Sequence, residues 1–129
     1  MVAYPEIIGG NRQDLNFRQI YFDLYRLNDA LSGLKLNRTA VATSYTALLD
    51  DYLIGVTSTA AARTITLPAR ALEVGKHYVV KDESGGAAAN NITIDPEGTV
   101  QIDGGATATI STNYGVVRLY SDGSKWFTW

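Results

Sequence analysis

Few residues in this 129-residue chain could take part in chemistry. There is one histidine, His77, and no cysteine. Histidine is the usual general base near neutral pH. His77, however, opens an alternating run, His77-Tyr78-Val79-Val80-Lys81, where a lone ring packs on a sheet more readily than it catalyses. Without cysteine there are no disulfides, thiolate zinc sites or thiol nucleophiles, which suits a protein made in a reducing cytosol. The carboxylates are Asp50-Asp51, Asp82-Glu83, Asp95 with Glu97, Asp103 and Asp122. Each falls at an expected turn or strand end, where aspartate commonly accepts from backbone N–H groups. Asp51 or Asp95 could join a cation site, but the Asp-x-Asp-x-Asp-Gly spacing of a calcium loop is missing. A glycosidase would need two carboxylates facing across a cleft, and nothing in the spacing picks out such a pair. No metal and no cofactor is expected.

The string Asp82-Glu83-Ser84-Gly85-Gly86 is close to the Gly-Asp-Ser-Gly-Gly frame around a protease serine. Asp82 stands where that frame has glycine, Glu83 replaces its aspartate, and the single histidine lies just upstream. The segment is therefore read as a loop, in which serine and glycine supply turn geometry. Gly85-Gly86 and Gly104-Gly105 lack the Lys-Ser/Thr or the strand–helix context of a phosphate-cradling loop. No catalytic residue is assigned, and the chain is expected not to be an enzyme. Aromatic residues cluster late, as Tyr114, Tyr120, Trp126, Phe127 and Trp129. On one strand Trp126 and Phe127 face opposite ways, so one of them belongs to the core. Tyr120, Trp126 and Trp129 are the candidates for a glycan-stacking or subunit contact, with plain packing as the alternative.

The elements that would carry these residues divide in two. Residues 1–36 read as an arm and an assembly helix, and residues 37–129 as a β-domain. In the arm, Pro5 biases Tyr4 towards extended backbone, and Gly9-Gly10 makes a joint. Tyr4, Pro5, Ile7 and Ile8 are its candidate docking residues. Asn11 reads as a helix N-cap with Asp14 in the first turn, and Gly33 as the stop. Between them Phe17, Ile20, Leu24, Leu27, Leu31 and Leu34 are spaced 3, 4, 3, 4, 3, a heptad stripe. Such a stripe either joins copies of the chain or lays the helix on its own domain. After Leu36 the period shortens. Strands are expected at 41–46, 52–56, 63–67, 77–81, 92–94, 99–102, 108–110, 116–120 and 125–129, with a helical turn between Ala69 and Val74. Short strands separated by Gly/Asp/Asn turns imply a mainly β fold, a compact antiparallel sandwich or barrel-like domain.

The net charge of −2, with scattered Lys and Arg, provides no footprint for nucleic acid. No run is long and apolar enough to insert in a membrane, and Met1 to Pro5 lacks the basic and apolar regions of a signal peptide.

Four ordered segments carry a family resemblance: Thr64-Ile65-Thr66-Leu67-Pro68, Gly75 to Gly85, Asn91-Ile92-Thr93-Ile94 and Ile102-Asp103-Gly104, extended by Tyr120 to Trp126. Together they resemble a β-domain recurrent in virion proteins of tailed bacteriophages, especially tail-fibre and related appendage proteins. The resemblance implies a virion structural protein made in the host cytoplasm, a homotrimer docked through its N-terminal arm, most simply a short tail fibre or spike. Its partners would be itself, tail or baseplate proteins and, at the surface, a host glycan. Most tail fibres are far longer. A capsid decoration protein on the major capsid protein is an alternative reading, and a carbohydrate-binding module is another.

Overall fold

From Arg38 to Pro96 the chain hands each successive strand to the opposite sheet. Strands β1 (Arg38–Val41), β3 (Leu53–Val56) and β5 (His77–Asp82) belong to one sheet, and β2 (Tyr45–Thr46), β4 (Arg63–Leu67) and β6 (Ile92–Pro96) to the other. The structure, a computed structural model, describes residues 19–21, 23, 24, 26, 33 and 35–129. The chain divides into two compact units, Met1–Lys35 and Leu36–Trp129. In the first, residues 19, 20, 21, 23, 24 and 26 are helical, with Gln19 donating to Asp23 one turn on.

In the second unit, two strands joined across the core make one coil, and each coil stacks on the last. Thus β1 pairs with β3 and β3 with β5, both in parallel, as do β2 with β4 and β4 with β6. A parallel pair cannot be closed by a tight hairpin and needs a crossover. Here the strand in the other sheet serves as that crossover. Three coils are formed this way, starting at Leu36, Leu53 and His77. Strands β7 (Ala108–Ile110), β8 (Val116–Ser121) and β9 (Trp126–Thr128) then add antiparallel to β6, β5 and β8. The sheet orders are β1-β3-β5-β8-β9 and β2-β4-β6-β7.

The domain is therefore a two-sheet sandwich, but a mixed one that does not close into a barrel. The expectation of an antiparallel domain is corrected. Only β5–β8, β6–β7 and β8–β9 pair antiparallel, and the other four pairings are parallel. The expected strand at 41–46 is broken where the chain turns from one sheet into the other. The expected strand at 99–102 reduces to isolated bridges made by Ile102.

Alternation along each strand fills the space between the sheets. Ile54, Val56, Tyr78, Val80 and Leu119 enter from the larger sheet, and Ile65, Leu67, Ile92, Ile94 and Ile110 from the smaller. Trp126 completes this core beside Tyr78, with ring centroids 5.6 Å apart. The outward positions differ sharply between the sheets. The smaller sheet presents Thr64, Thr93 and Thr109 in one cross-strand row, and Thr46, Thr66 and Asp95 in the next.

The far end of the stack is guarded. The segment 101–105 folds back on β9, where Trp126 N–H donates to Gln101 O at 2.9 Å and Thr128 N–H to Asp103 Oδ1 at 3.0 Å. Asp103 holds φ 50° there, followed by Gly104 at φ 83°, the left-handed pair such a tight return needs. The donors β9 would offer to a further strand are thereby used up.

With 1% of its surface exposed, Trp126 is the largest side chain in the core. Trp126→Ala is expected to destabilise the domain by about 3–5 kcal/mol, read as a lowered midpoint in urea with a shared transition for all probes.

Candidate functional site

Three groups of side chains stand out in the β-unit. One is an exposed aromatic cluster and two are buried carboxylates.

The cluster lies on the outer face of the larger sheet. Register places His77, Tyr120 and Phe127 side by side on β5, β8 and β9. Tyr120 and Phe127 stack with centroids 5.5 Å apart, and His77 lies 6.1 Å from both Tyr120 and Trp129. The Arg118 guanidinium sits 5.8 Å above the Trp129 ring, and Lys125 Nζ lies 5.9 Å above that of Phe127. Both are cation–π distances. Trp129 is the most open ring, at 62% exposed. Because these faces already meet a ring or a cation, the cluster offers a ligand less open stacking surface than its ring count implies.

Of the three late aromatics singled out above, Tyr120 and Trp129 are on this face. Trp126 is not, because its strand parity turns it into the core, and Phe127 takes the outward place. Arg118 was missed. Its signal was its alternation with Leu119 in β8. His77 does not face a nucleophile, and its Nδ1 is 3.0 Å from Gly75 O.

The first buried carboxylate is Asp82, at the end of β5. Its Oδ1 accepts from Ser84 N, Ser84 Oγ and Gly85 N at 2.9, 2.7 and 3.0 Å. Oδ2 accepts from Ala87 N and Tyr114 N, both at 3.0 Å. Burial opposes ionisation, but the bonds from Ser84, Tyr114, Ala87 and Gly85 outweigh it and hold the carboxyl at about 2. Ser84 Oγ is also 2.6 Å from Thr59 Oγ1. The serine is thus held by Asp82 and Thr59, and the Asp82–Gly86 segment is a built loop. A Cβ at Gly85, where φ is 79°, would meet the Tyr114 ring at 2.4 Å, so that position needs glycine.

The second is Asp51, 2% exposed. It accepts from Thr39 Oγ1 at 2.5 Å on Oδ1, and from Tyr45 Oη and Leu48 N, each at 2.8 Å, on Oδ2. Burial opposes its charge, and the bonds from Leu48, Thr39 and Tyr45, with nearby Lys76, still keep it below the usual carboxylate range. Lys76 Nζ donates to the Asp51 carbonyl at 2.8 Å and lies 4.2 Å over the Tyr78 ring. Burial first, then Asp51, push the Tyr45 and Tyr78 phenols up to about 12. Among the described residues no three His, Cys, Asp or Glu side chains gather as a metal site.

In the first unit, Ile20 and Leu24 of the heptad stripe are helical and 54% and 59% exposed, with Tyr21 beside them at 74%. Phe17, Leu27, Leu31 and Leu34, and the arm residues Tyr4, Pro5, Ile7 and Ile8, lie outside the described residues. Among the described residues no helix is long and apolar enough to cross a membrane. No protein-family model matches the chain, and no curated protein matches it.

Both carboxylates are held below their unfolded value, so their contribution is complete above about pH 4 and is lost as pH falls through the folded value. For Asp82 that window runs from about 4 down to about 2. Asp82→Ala would orphan four backbone N–H groups and is expected to cost about 3 kcal/mol or more at pH 7. The gap between mutant and wild type should narrow on titrating towards pH 2, measured by urea unfolding at each pH.

Proposed function

We propose that this chain is a structural subunit of a tailed-bacteriophage particle, a short homotrimeric appendage of the tail-fibre or spike type. In this reading residues 1–10 dock on the virion, the Phe17–Leu34 stripe joins the three copies, and the β-unit faces outward without catalytic activity of its own. One observation carries the self-association: Ile20 and Leu24, members of a heptad stripe, stand on a helix and are exposed. Exposed leucine and isoleucine at a/d positions are the usual seam of a coiled coil. The virion assignment draws its support from the ordered β-segments that resemble phage appendage proteins. The engagement of Ser84 and Asp82 with each other and with backbone favours a structural role over a hydrolytic one.

Attachment to the capsid shell as a decoration protein is the second reading. It draws on the same exposed stripe, and copy number separates the two: hundreds per particle for decoration, tens or fewer for an appendage. A glycan-binding role draws on the ring cluster. Loss of glycan-array signal on Trp129→Ala would support it, and an array without signal for the wild type would remove it.

At micromolar concentration the full chain is expected to show about three times its 14.0 kDa mass in light scattering. The double variant Ile20→Asp with Leu24→Asp should fall to the single-chain mass with its β-sheet circular dichroism unchanged. A wild-type chain that stays monomeric at that concentration would sink the assembly reading.

A further inference from the structure

The three coils are not held in the same way. Coil two buries Ile54, Val56, Ile65 and Leu67, and coil three Tyr78, Val80, Ile92 and Ile94. Coil one, residues 36–52, buries only Val41 and Ala47 among its apolar side chains, with Tyr45 partly covered. Backbone ladders join coil one to coil two, β1 to β3 over four register pairs and β2 to β4 over only two. Beyond these its ties are polar, and several come from coil three or its approach, passing over coil two. Lys76 Nζ holds the Asp51 carbonyl, and Tyr78 Oη donates to Leu48 O at 2.9 Å. The Arg38 guanidinium pairs with both oxygens of Glu83, with Nε 3.0 Å from Oε2. That bridge crosses β3 where Gly55 lies, and a Cβ on Gly55 would meet Glu83 Oε2 at 2.2 Å. Within the coil, Asp51 gathers Thr39 from β1, Tyr45 from β2 and the Leu48 amide.

We infer that coil one is a releasable strap: residues 36–52 open as a unit while coils two and three stay folded, and the opened state uncovers the edges of β3 and β4. An element with little buried apolar surface and a neighbour on one side only, at the end of a linear stack, is the natural first unit to open, since each coil of a solenoid draws its stability from its neighbours. Asp51 is the buckle inside the strap, and Arg38–Glu83 over Gly55 fastens it from outside. The inference concerns the β-unit alone and does not depend on the virion assignment.

Hydrogen exchange of the full chain, read by mass spectrometry at pH 7, tests it. Amides in 38–47 are expected to exchange at least about tenfold faster than those of β5 and β6. Asp51→Asn should speed exchange in 38–49 by a further factor of about ten, leaving 77–82 and 92–96 unchanged. Gly55→Val, which displaces Glu83, should act on the same segment. Tyr45→Phe removes one hydroxyl donor and leaves the carboxylate in place. It decides the matter if Asp51→Asn does not fold. Exchange of 38–47 in step with β5 and β6 in the wild type would overturn the strap, and so would a variant that raises exchange equally in all three coils.

Discussion

The carboxylate of Asp82 sits where the fold changes its rule. Up to β5 the chain stacks parallel coils. In the larger sheet β8 and β9 then add antiparallel, and β5 is the strand of that sheet that pairs both ways, as β6 is in the smaller. Asp82 ends that strand, and its two oxygens reach in two directions. One organises the Ser84–Gly85 turn that leads towards β6. The other takes Ala87 N–H and, across a long gap in sequence, Tyr114 N–H just before β8. The carboxylate therefore fixes the point at which β8 comes alongside β5, and β9 follows from β8. Five hydrogen bonds on a fully buried charge are what such a position requires, because a carboxylate left with orphaned lone pairs there would cost more than the turn could return.

Much of the local structure was legible in the sequence. Strands β4 and β7 follow directly from the alternation in Arg63–Leu67 and Ala108–Ile110, because side-chain parity is a local property. Parity also required that Trp126 and Phe127 part ways, although only the packing beside Tyr78 decides which one turns inward. The sheet to which each strand belongs was not legible. The coils that start at Leu36, Leu53 and His77 are unequal in length, so they leave no period for the eye to find, and a handover between sheets looks like any turn. Asp51 and Asp82 were read as turn aspartates, which is right for Leu48, Ser84 and Gly85. The reach of Asp51 to Thr39 and of Asp82 to Tyr114 joins segments that only the tertiary fold brings together.

The two outer faces of the sandwich have different chemistry. One carries Arg38, Lys81, Arg118 and a group of rings, with charge balanced in part by Glu83. The other carries rows of threonine interrupted by Asp95. β-Branched hydroxyl side chains suit a pleated surface, and they keep that face nearly neutral without making it strongly apolar. Whatever meets the first face meets cations and aromatic edges, and whatever meets the second meets a flat field of hydroxyls and methyls.

The return of residues 101–105 onto β9 gives the stack a direction. A pile of parallel coils with two bare ends could add copies of itself indefinitely, since each top would fit each bottom, and a head-to-tail contact that does not close makes a fibre. Here the outer edge of β9 has spent its donors on its own chain, with Asp103 covering the last of them. Growth by strand addition to the larger sheet is blocked at that edge, so the sheet that carries the rings has a finished side and cannot be lengthened there.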